Sequence, residues 1–307
     1  MRNHKEETGR SLAGKWKHAF IYGLIFIGGR GLAYVFLYPL VFVYTCFPSV
    51  RKKSQSYVIR RFSPRSFTDF FKHTYLLNLT FARTLVDRAA LGILGATAVT
   101  STEEERELCR KLLSEQKGLI LLSAHVGCWQ MAVNLMQFLP GKKHVLYYRN
   151  PKDYDKTVSQ HTGQQAPFDF INPAGPLGGT VEMMNALQRG EVLCAMGDRM
   201  FGPEKNALSV HFFKGKVSVP YSFYRIAAIT GAPIVILFFP WLKRGMFASK
   251  TAAVLRIPDG GNQKEKYLPY AQQFMDELAD FCIQYPYQFF NYFDLWSEEN
   301  ATNCRRN

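Results

Sequence analysis

Apolar and polar residues are distributed along this chain in two distinct patterns. From Ala19 to Phe47 the chain is almost uncharged, whereas short apolar runs alternate with amphipathic stretches from Ser101 onward. The first run is too long for a cleavable signal peptide and lacks a small-x-small exit, so it predicts a membrane segment. Between the two, basic and aromatic residues interleave over 51–100, which indicates helices that lie along lipid headgroups or pack on the main domain.

The second pattern predicts an α/β fold. The runs with strand character are Leu119–Ser123, His144–Arg149, Phe168–Asn172, Val192–Met196, Val210–Phe213, Ile234–Phe239 and Ala252–Ile257. The stretches with helix character are Trp129–Phe138, Tyr154–Gln164, Thr180–Gln188, Tyr221–Thr230 and Lys266–Gln284. A further helix is expected to begin at two overlapping capping boxes, Ser101–Glu104 and Thr102–Glu105. We therefore expect a central mixed sheet flanked by helices, with an N-terminal hydrophobic membrane-anchor helix.

These boundaries divide the chain into segments of different character. They are a polar N-terminal segment at 1–18, a membrane anchor at 19–50, a basic and aromatic helical membrane-proximal region at 51–100, a main α/β domain at 101–296 and a polar tail at 297–307.

Arg30 interrupts the apolar run inside the sequence Gly28-Gly29-Arg30-Gly31. An arginine at mid-bilayer costs roughly 2.5–3.5 kcal/mol. A glycine-flanked break that lets Arg30 reach the headgroups would relieve that cost, which predicts a bent, interfacial or re-entrant anchor. One continuous span and a buried core helix are the alternatives. Basic residues flank both ends of the run, so both ends are expected on the cytoplasmic side.

The net charge restricts the class of partner that the protein can bind, and the cysteine content indicates its compartment. A formal net charge of +14 requires an anionic partner, and no nucleic-acid module is recognisable, so anionic lipid or a phosphorylated donor or carrier is expected instead. The six cysteines lack a Cys-x-x-Cys pair and are interpreted as reduced thiols at a cytosolic face. No histidine pair has metal-ligand spacing, so we expect no metal.

His125 directly follows the apolar run 119–124 and begins the stretch His-Val-Gly-Cys-Trp-Gln. Ligands bind at the carboxyl ends of strands in open α/β sheets, so this position suits a functional histidine, although a satisfied core histidine is the commoner case after an apolar strand. Gly127 permits a tight turn, and Gln130 can turn back to fix which ring nitrogen carries the proton. The arrangement predicts a general base.

This stretch resembles the His-x4-Asp/Glu motif of the lysophospholipid acyltransferase superfamily, in the version found in bacterial lipid A late (lauroyl/myristoyl-type) acyltransferases. Further blocks resemble that family in the same order, namely Tyr147–Pro151, Met196–Arg199, His211–Gly215 and Tyr285–Trp296. The resemblance implies that 101–296 is an acyltransferase domain in which His125 is the general base and Gln130 orients it. The residues implied to contact the substrate are Arg149, Asp198, Arg199 and Lys214.

Gln130 stands where the family has an acid. Its carbonyl oxygen can accept a hydrogen bond from Nδ1–H, but it lacks the charge that stabilises an imidazolium. We expect a penalty of roughly 10–10³ in rate, which a nearby acid such as Asp198 would offset.

The resemblance implies a membrane-associated acyltransferase. It would move a fatty acyl group from acyl carrier protein or coenzyme A to a hydroxyl or amine of a lipid A-like or other amphiphilic acceptor, with no cofactor beyond that acyl co-substrate. The expected partners are membrane lipids and the acyl donor, not nucleic acid, and the expected place is the bacterial inner membrane with the catalytic domain facing the cytoplasm. The alternative is a catalytically silent lipid-binding or scaffold protein of the same fold, which the glutamine at position 130 supports.

Overall fold

The computed structural model describes residues 15–95, 98–131, 138–147, 168–200, 207–261 and 263–296 of the chain. In that part of the chain the α-helices are α1 Lys15–Cys46, α2 Pro48–Phe62, α3 Phe67–Leu94, α4 Glu103–Ser114, α5 Thr180–Gln188, α6 Ser222–Thr230 and α7 Leu268–Gln284. The strands are β1 Ala98–Thr100, β2 Leu119–Ser123, β3 Lys143–Leu146, β4 Asp169–Ile171, β5 Val192–Met196, β6 Ala207–Phe212, β7 Gly215–Pro220, β8 Ile234–Phe238, β9 Trp241–Lys243, β10 Met246–Ala248 and β11 Lys250–Leu255.

The central sheet has the strand order β11-β8-β2-β5-β3-β4. Strand β11 runs antiparallel to β8, whereas the other neighbours are parallel, so the sheet is mixed as predicted. In the register of β2 and β5, Leu119 lies beside Val192 and Ser123 beside Met196. The carboxyl ends of these two strands are therefore level with each other.

Helices cover both faces of this sheet. On one face, Ile120 and Leu122 of β2 belong to the larger core, to which α7 contributes Phe274. On the other face, Leu121 packs in a smaller cluster with Leu112 of α4. Burial on both faces explains why β2 is an uninterrupted apolar run rather than an alternating one.

Helix α1 is bent at Gly29, where the backbone leaves the helical conformation (φ 65°, ψ −166°). Glycine adopts this left-handed φ at little cost, so the predicted break occurs. The structure gives Arg30 a different partner from the expected headgroups, because its Nε lies 3.9 Å from Oδ1 of Asp87 on α3. Asp87 is fully buried and supplies the counter-charge within the protein.

One side of α1 packs on α3 and the other side is exposed. Ile25, Ala33, Leu37 and Val41 are buried in a cluster with apolar residues of α3. The large apolar side chains that α1 leaves exposed include Phe20, Phe26, Ile27, Val35, Phe36, Leu40, Phe42 and Val43. The stretch Ala19–Cys46 is long and apolar enough to cross a membrane, judged by its length and composition, with a mean hydropathy of 1.7.

Several predicted elements are confirmed. The strands Leu119–Ser123 and Val192–Met196 and the helix Thr180–Gln188 have the predicted bounds. Helix α4 begins with the predicted capping box, in which Thr102 and Glu105 exchange hydrogen bonds.

Other elements differ from the prediction or lie outside the described residues. Strand β7 was not predicted, since it begins with Gly215 and ends with Pro220, both of which interrupt a strand pattern. Of the expected helix Trp129–Phe138, the structure describes only two parts. These are Trp129–Met131, which form a 3-10 turn, and the last residue, Phe138. The expected helix Tyr154–Gln164 lies wholly outside the described part.

Candidate active site

His125 and Asp198 meet because β2 and β5 end side by side. Each residue comes two positions after the last paired residue of its strand, Ser123 and Met196. The ring Nδ1 of His125 lies 2.9 Å from Oδ1 and 3.1 Å from Oδ2 of Asp198. The backbone N–H of His125 also donates to Oδ2 at 3.2 Å. One buried carboxylate therefore holds both the ring and the main chain of the histidine.

The turn after His125 requires a glycine. Gly127 has a φ of +53°, and a Cβ at this position would lie 2.1 Å from the carbonyl oxygen of Phe239. Cys128 donates its backbone N–H to the same carbonyl at 2.7 Å, and Gly127 donates to the carbonyl of Gln288 at 2.8 Å. The turn is thus pressed against the residue after β8, which fixes where the imidazole leaves the sheet.

The segment after α7 completes the site, although the family resemblance indicated mainly packing for it. The backbone N–H of Phe290 donates to the carbonyl of His125 at 2.8 Å. Asn291 is buried and its Nδ2 lies 3.5 Å from Oδ2 of Asp198. Sequence reasoning missed both contacts, since the asparagine stands in an aromatic run without a local signal of its role.

Gln130 forms no hydrogen bond with the imidazole in the described part of the chain. Its Oε1 accepts a hydrogen bond from the guanidinium of Arg88 on α3, and Nδ1 of His125 is occupied by Asp198. The 3-10 turn at Trp129–Met131 carries the amide towards α3. The expected contact between Gln130 and His125 is therefore not formed, and Asp198 provides an acid from a different strand.

Burial and charge together define the state of the pair. Burial lowers the pKa of His125, and the positive charge of Arg199 lowers it further, against the opposing effect of Asp198. Burial alone would raise the pKa of Asp198, but His125 and Arg199 outweigh it and hold that pKa below its usual value. A neutral imidazole then donates Nδ1–H to an ionised carboxylate, and Nε2 has no hydrogen-bond partner among the described residues.

The other residues predicted to contact the substrate do not all lie beside His125. Arg199 donates to the carbonyl of Phe290 at 3.3 Å, and its Nε is buried without a hydrogen-bond partner in the described part of the chain. Lys214 lies in the β6–β7 turn and donates to the hydroxyl of Ser63 at 2.9 Å. Arg149 is outside the described residues. The structure therefore brings His125, Asp198 and Arg199 together and directs Lys214 to the end of α2.

Comparison with protein families decides the assignment. The model of the bacterial lipid A biosynthesis acyltransferases matches residues 44–297. The chain belongs to this family. Its membership confirms the predicted acyltransferase family, whereas the lauroyl/myristoyl subtype stays a prediction.

Among solved structures, the acyltransferase is similar to the crystal structure of the 1-acyl-sn-glycerophosphate (LPA) acyltransferase from Thermotoga maritima. The identity is 14% and the TM-score 0.38, with 83% of this chain and 98% of that chain covered. No curated protein matches the chain.

An aromatic wall adjoins the imidazole of this acyltransferase. The ring of Trp129 lies 5.4 Å from that of His125 and is stacked at 6.2 Å with Phe81 of α3. Phe290 and Tyr292 pack against Phe81 at 4.9 and 5.4 Å. The ring of the candidate base is therefore bounded by an apolar surface built from α3 and the C-terminal segment.

A second histidine–carboxylate pair lies at the opposite end of the sheet. Nε2 of His144 is 2.8 Å from Oε2 of Glu191, close to the first residues of β3 and β5. Glu191 is also paired with Arg189 at 2.7 Å. Because ligands bind at the carboxyl ends of parallel strands, we interpret this pair as structural and use it as an internal control for the candidate site.

Proposed function

We propose that this acyltransferase moves a fatty acyl group from a thioester, carried by acyl carrier protein or coenzyme A, to a hydroxyl or amine of a lipid A-like or other amphiphilic acceptor. The observation that carries the proposal is the His125–Asp198 pair at the carboxyl ends of β2 and β5, with Nε2 unpartnered among the described residues.

In the proposed reaction His125 is the general base. Nε2 takes the proton from the acceptor hydroxyl or amine as its oxygen or nitrogen attacks the thioester carbonyl. Asp198 keeps the other ring nitrogen protonated and stabilises the imidazolium that forms. When the tetrahedral intermediate collapses, the C–S bond breaks and the proton on Nε2 passes to the departing thiolate.

Arg199 is the proposed stabiliser of negative charge. The half-buried guanidinium of Arg199, whose Nε–H has no hydrogen-bond partner among the described residues, can donate to the oxyanion of the tetrahedral intermediate or to a phosphate of the substrate. Arg149 is proposed as a second contact for such a phosphate, on the family resemblance alone.

Membrane association is proposed for the apolar side of α1. This side exposes aliphatic and aromatic residues to the surroundings, and the net charge of +14 favours an anionic surface. We place the enzyme at the bacterial inner membrane with its catalytic domain facing the cytoplasm, where acyl carrier protein and coenzyme A are available.

The silent-scaffold alternative depended on the missing acid at position 130. Asp198 supplies a carboxylate to the same imidazole, and on this support we propose catalysis rather than that alternative.

The proposal is tested by acyl transfer. Purified enzyme in detergent is given labelled acyl-acyl carrier protein or acyl-coenzyme A with total bacterial membrane lipids as acceptors. Loss of a general base reduces rates by about 10²–10⁴, so His125→Ala should fall by that factor. His144→Ala removes the control histidine and should retain transfer. A fully active His125→Ala enzyme would overturn the mechanism.

A further inference from the structure

A cleft of about 550 Å³ opens between the end of α2, the start of α3 and the β6–β7 turn. Arg60, Ser63 and Lys214 supply polar groups to its lining, and Ile59 and Phe67 supply apolar ones. We propose that this headgroup cleft binds the phosphate-bearing anionic headgroup of a membrane lipid. The site rests on the membrane association proposed above and adds to it a specific contact that orients the enzyme on the bilayer.

The charge of the headgroup cleft favours an anion. Among the described residues that line it, Arg60 and Lys214 are cations and none is an acid. The nearest acid along the chain, Asp69, is engaged elsewhere, since its carboxylate accepts from the backbone N–H of Arg65 at 3.2 Å and lies 3.2 Å from Nε2 of His73. An ammonium has three donors, and Lys214 uses one of them on Ser63, so donors remain for a ligand.

The chain holds these groups in place before any ligand binds. Ser63 ends α2 in the left-handed conformation (φ 47°, ψ 56°), with its backbone N–H bonded to the carbonyl of Ile59. On the other side, Phe213 has a φ of +49° in the tight turn that carries Lys214. Two fixed turns thus face each other, and the bond from Lys214 to Ser63 joins them.

The rim of the headgroup cleft is continuous with the apolar surface of α1. Phe67 is 65% exposed and its ring lies 6.3 Å from that of Phe71. Phe71 in turn lies 5.6 Å from Phe42, which is exposed on α1. The guanidinium of Arg51 is 5.3 Å above the ring of Phe67. A ligand with an anionic head and an apolar tail matches both parts, whereas an acidic soluble protein would leave the aromatic strip in water.

The test is vesicle flotation with the full chain. Vesicles of phosphatidylcholine alone are compared with vesicles that contain phosphatidylglycerol, at constant ionic strength. Each basic residue at an anionic surface contributes about fivefold to binding, so Arg60→Gln with Lys214→Gln should weaken binding to the anionic vesicles by about 25-fold. Because Arg60 also stacks on Trp296 at 4.7 Å, the single change Lys214→Glu, at an exposed residue, provides a second variant.

The matched control removes two exposed lysines elsewhere, Lys111→Gln with Lys117→Gln, at and beyond the end of α4, and should bind as the wild type does. Binding of inorganic phosphate that the cleft variants lose, together with vesicle binding that they retain and that phosphate does not weaken at unchanged ionic strength, would assign the cleft to free phosphate and overturn the lipid assignment. If the cleft variants bind vesicles normally but have a raised KM for acyl carrier protein, the cleft is a docking site for the carrier. That result would also overturn the lipid assignment.

Failure of the cleft and failure of the proposed function have different signatures. If both cleft variants bind the two vesicle types like the wild type, the headgroup cleft is refuted while membrane association stands. If the wild type binds neither vesicle type, the proposed membrane association fails and the cleft with it. The transfer assay with His125→Ala in detergent tests the chemistry independently of both.

Discussion

Asp87 and Asp198 are both buried carboxylates with a basic partner, but their surroundings differ. Asp87 lies between α1, α3 and the β9–β10 hairpin and faces a permanent cation, Arg30. Its Oδ2 accepts three hydrogen bonds of 2.8 Å, from the Tyr34 hydroxyl, the Trp241 indole and the Gly245 backbone. These three donors and the cation all come from neighbouring parts of the fold, so we interpret the carboxylate as structural.

Asp198 faces a group that can change its charge. His125 is neutral at neutral pH, since its pKa is lowered by burial and by Arg199, and it becomes charged when it accepts a proton at Nε2. Burial alone therefore does not identify a functional carboxylate in this molecule. What distinguishes Asp198 is a titratable partner with one nitrogen that no described residue occupies.

Among variants that keep His125, the largest expected effect on rate comes from Asp198→Asn. An amide keeps the shape but loses the charge and favours the wrong tautomer, so kcat should fall by about 10³–10⁴ with KM little changed. Acyl transfer and thermal unfolding are measured on the same preparation. Glu191→Gln makes the same chemical change in the control pair with His144 and should leave kcat unaltered. A comparable loss in both variants would remove the distinction between the two pairs.

Asp87→Asn should act on stability instead. Breaking a buried ion pair by neutralising one partner costs about 3–5 kcal/mol of unfolding free energy. Urea unfolding in detergent measures this loss, and transfer per folded molecule should be retained. Asp69→Asn removes a half-exposed carboxylate on the same helix and should cost less than about 1 kcal/mol. A fully stable but inactive Asp87→Asn enzyme would contradict the structural role.

Arg199→Gln should move the pH profile. The neutral imidazole is the active form, and the cation at 199 is one cause of the lowered pKa of His125. Its removal raises that pKa, so the acidic limb of kcat/KM should move to higher pH and transfer at pH 6 should suffer more than at pH 8. Arg189→Gln, which removes the cationic partner of Glu191 in the control pair, should leave the acidic limb in place. An acidic limb at unchanged or lower pH in Arg199→Gln would refute the assigned effect of Arg199 on the pKa of His125.

Gln130→Glu should have the smallest effect. The new carboxylate would face Arg88 as the amide does, so transfer should change by about threefold or less, as for substitutions away from the reacting groups. The sharper form of the test is the double variant with Asp198→Asn. Rescue of transfer by the glutamate would show that position 130 does reach the imidazole and would erase the contrast with Asp198.

The local part of the site could be predicted from the sequence. Both β2 and β5 are uninterrupted apolar runs, so their bounds were recognisable, and so were the polar residues that follow them. That His125 pairs with Asp198 depends on the adjacency of two strands whose site residues are 73 positions apart, which no local pattern encodes.

The role of α3 was also hidden. Gln130 turns towards Arg88 because the chain forms a 3-10 turn there. A usable signal was present, since Asp87-Arg88 is a charged pair inside the apolar stretch Thr84–Leu94, and charges at such positions need partners within the protein. Which partners they find depends on how α1 and the β9–β10 hairpin pack, and this is a tertiary property.

The pairing of His125 with Asp198 is tested most directly by ¹⁵N NMR of histidine-labelled enzyme, with His125 assigned by the signal that His125→Gln removes. We predict a neutral ring protonated at Nδ1 at pH 7, unchanged in Gln130→Leu and altered in Asp198→Asn. A ring that keeps its state in Asp198→Asn but loses it in Gln130→Leu would contradict the assignment of Asp198 as the partner of the catalytic histidine.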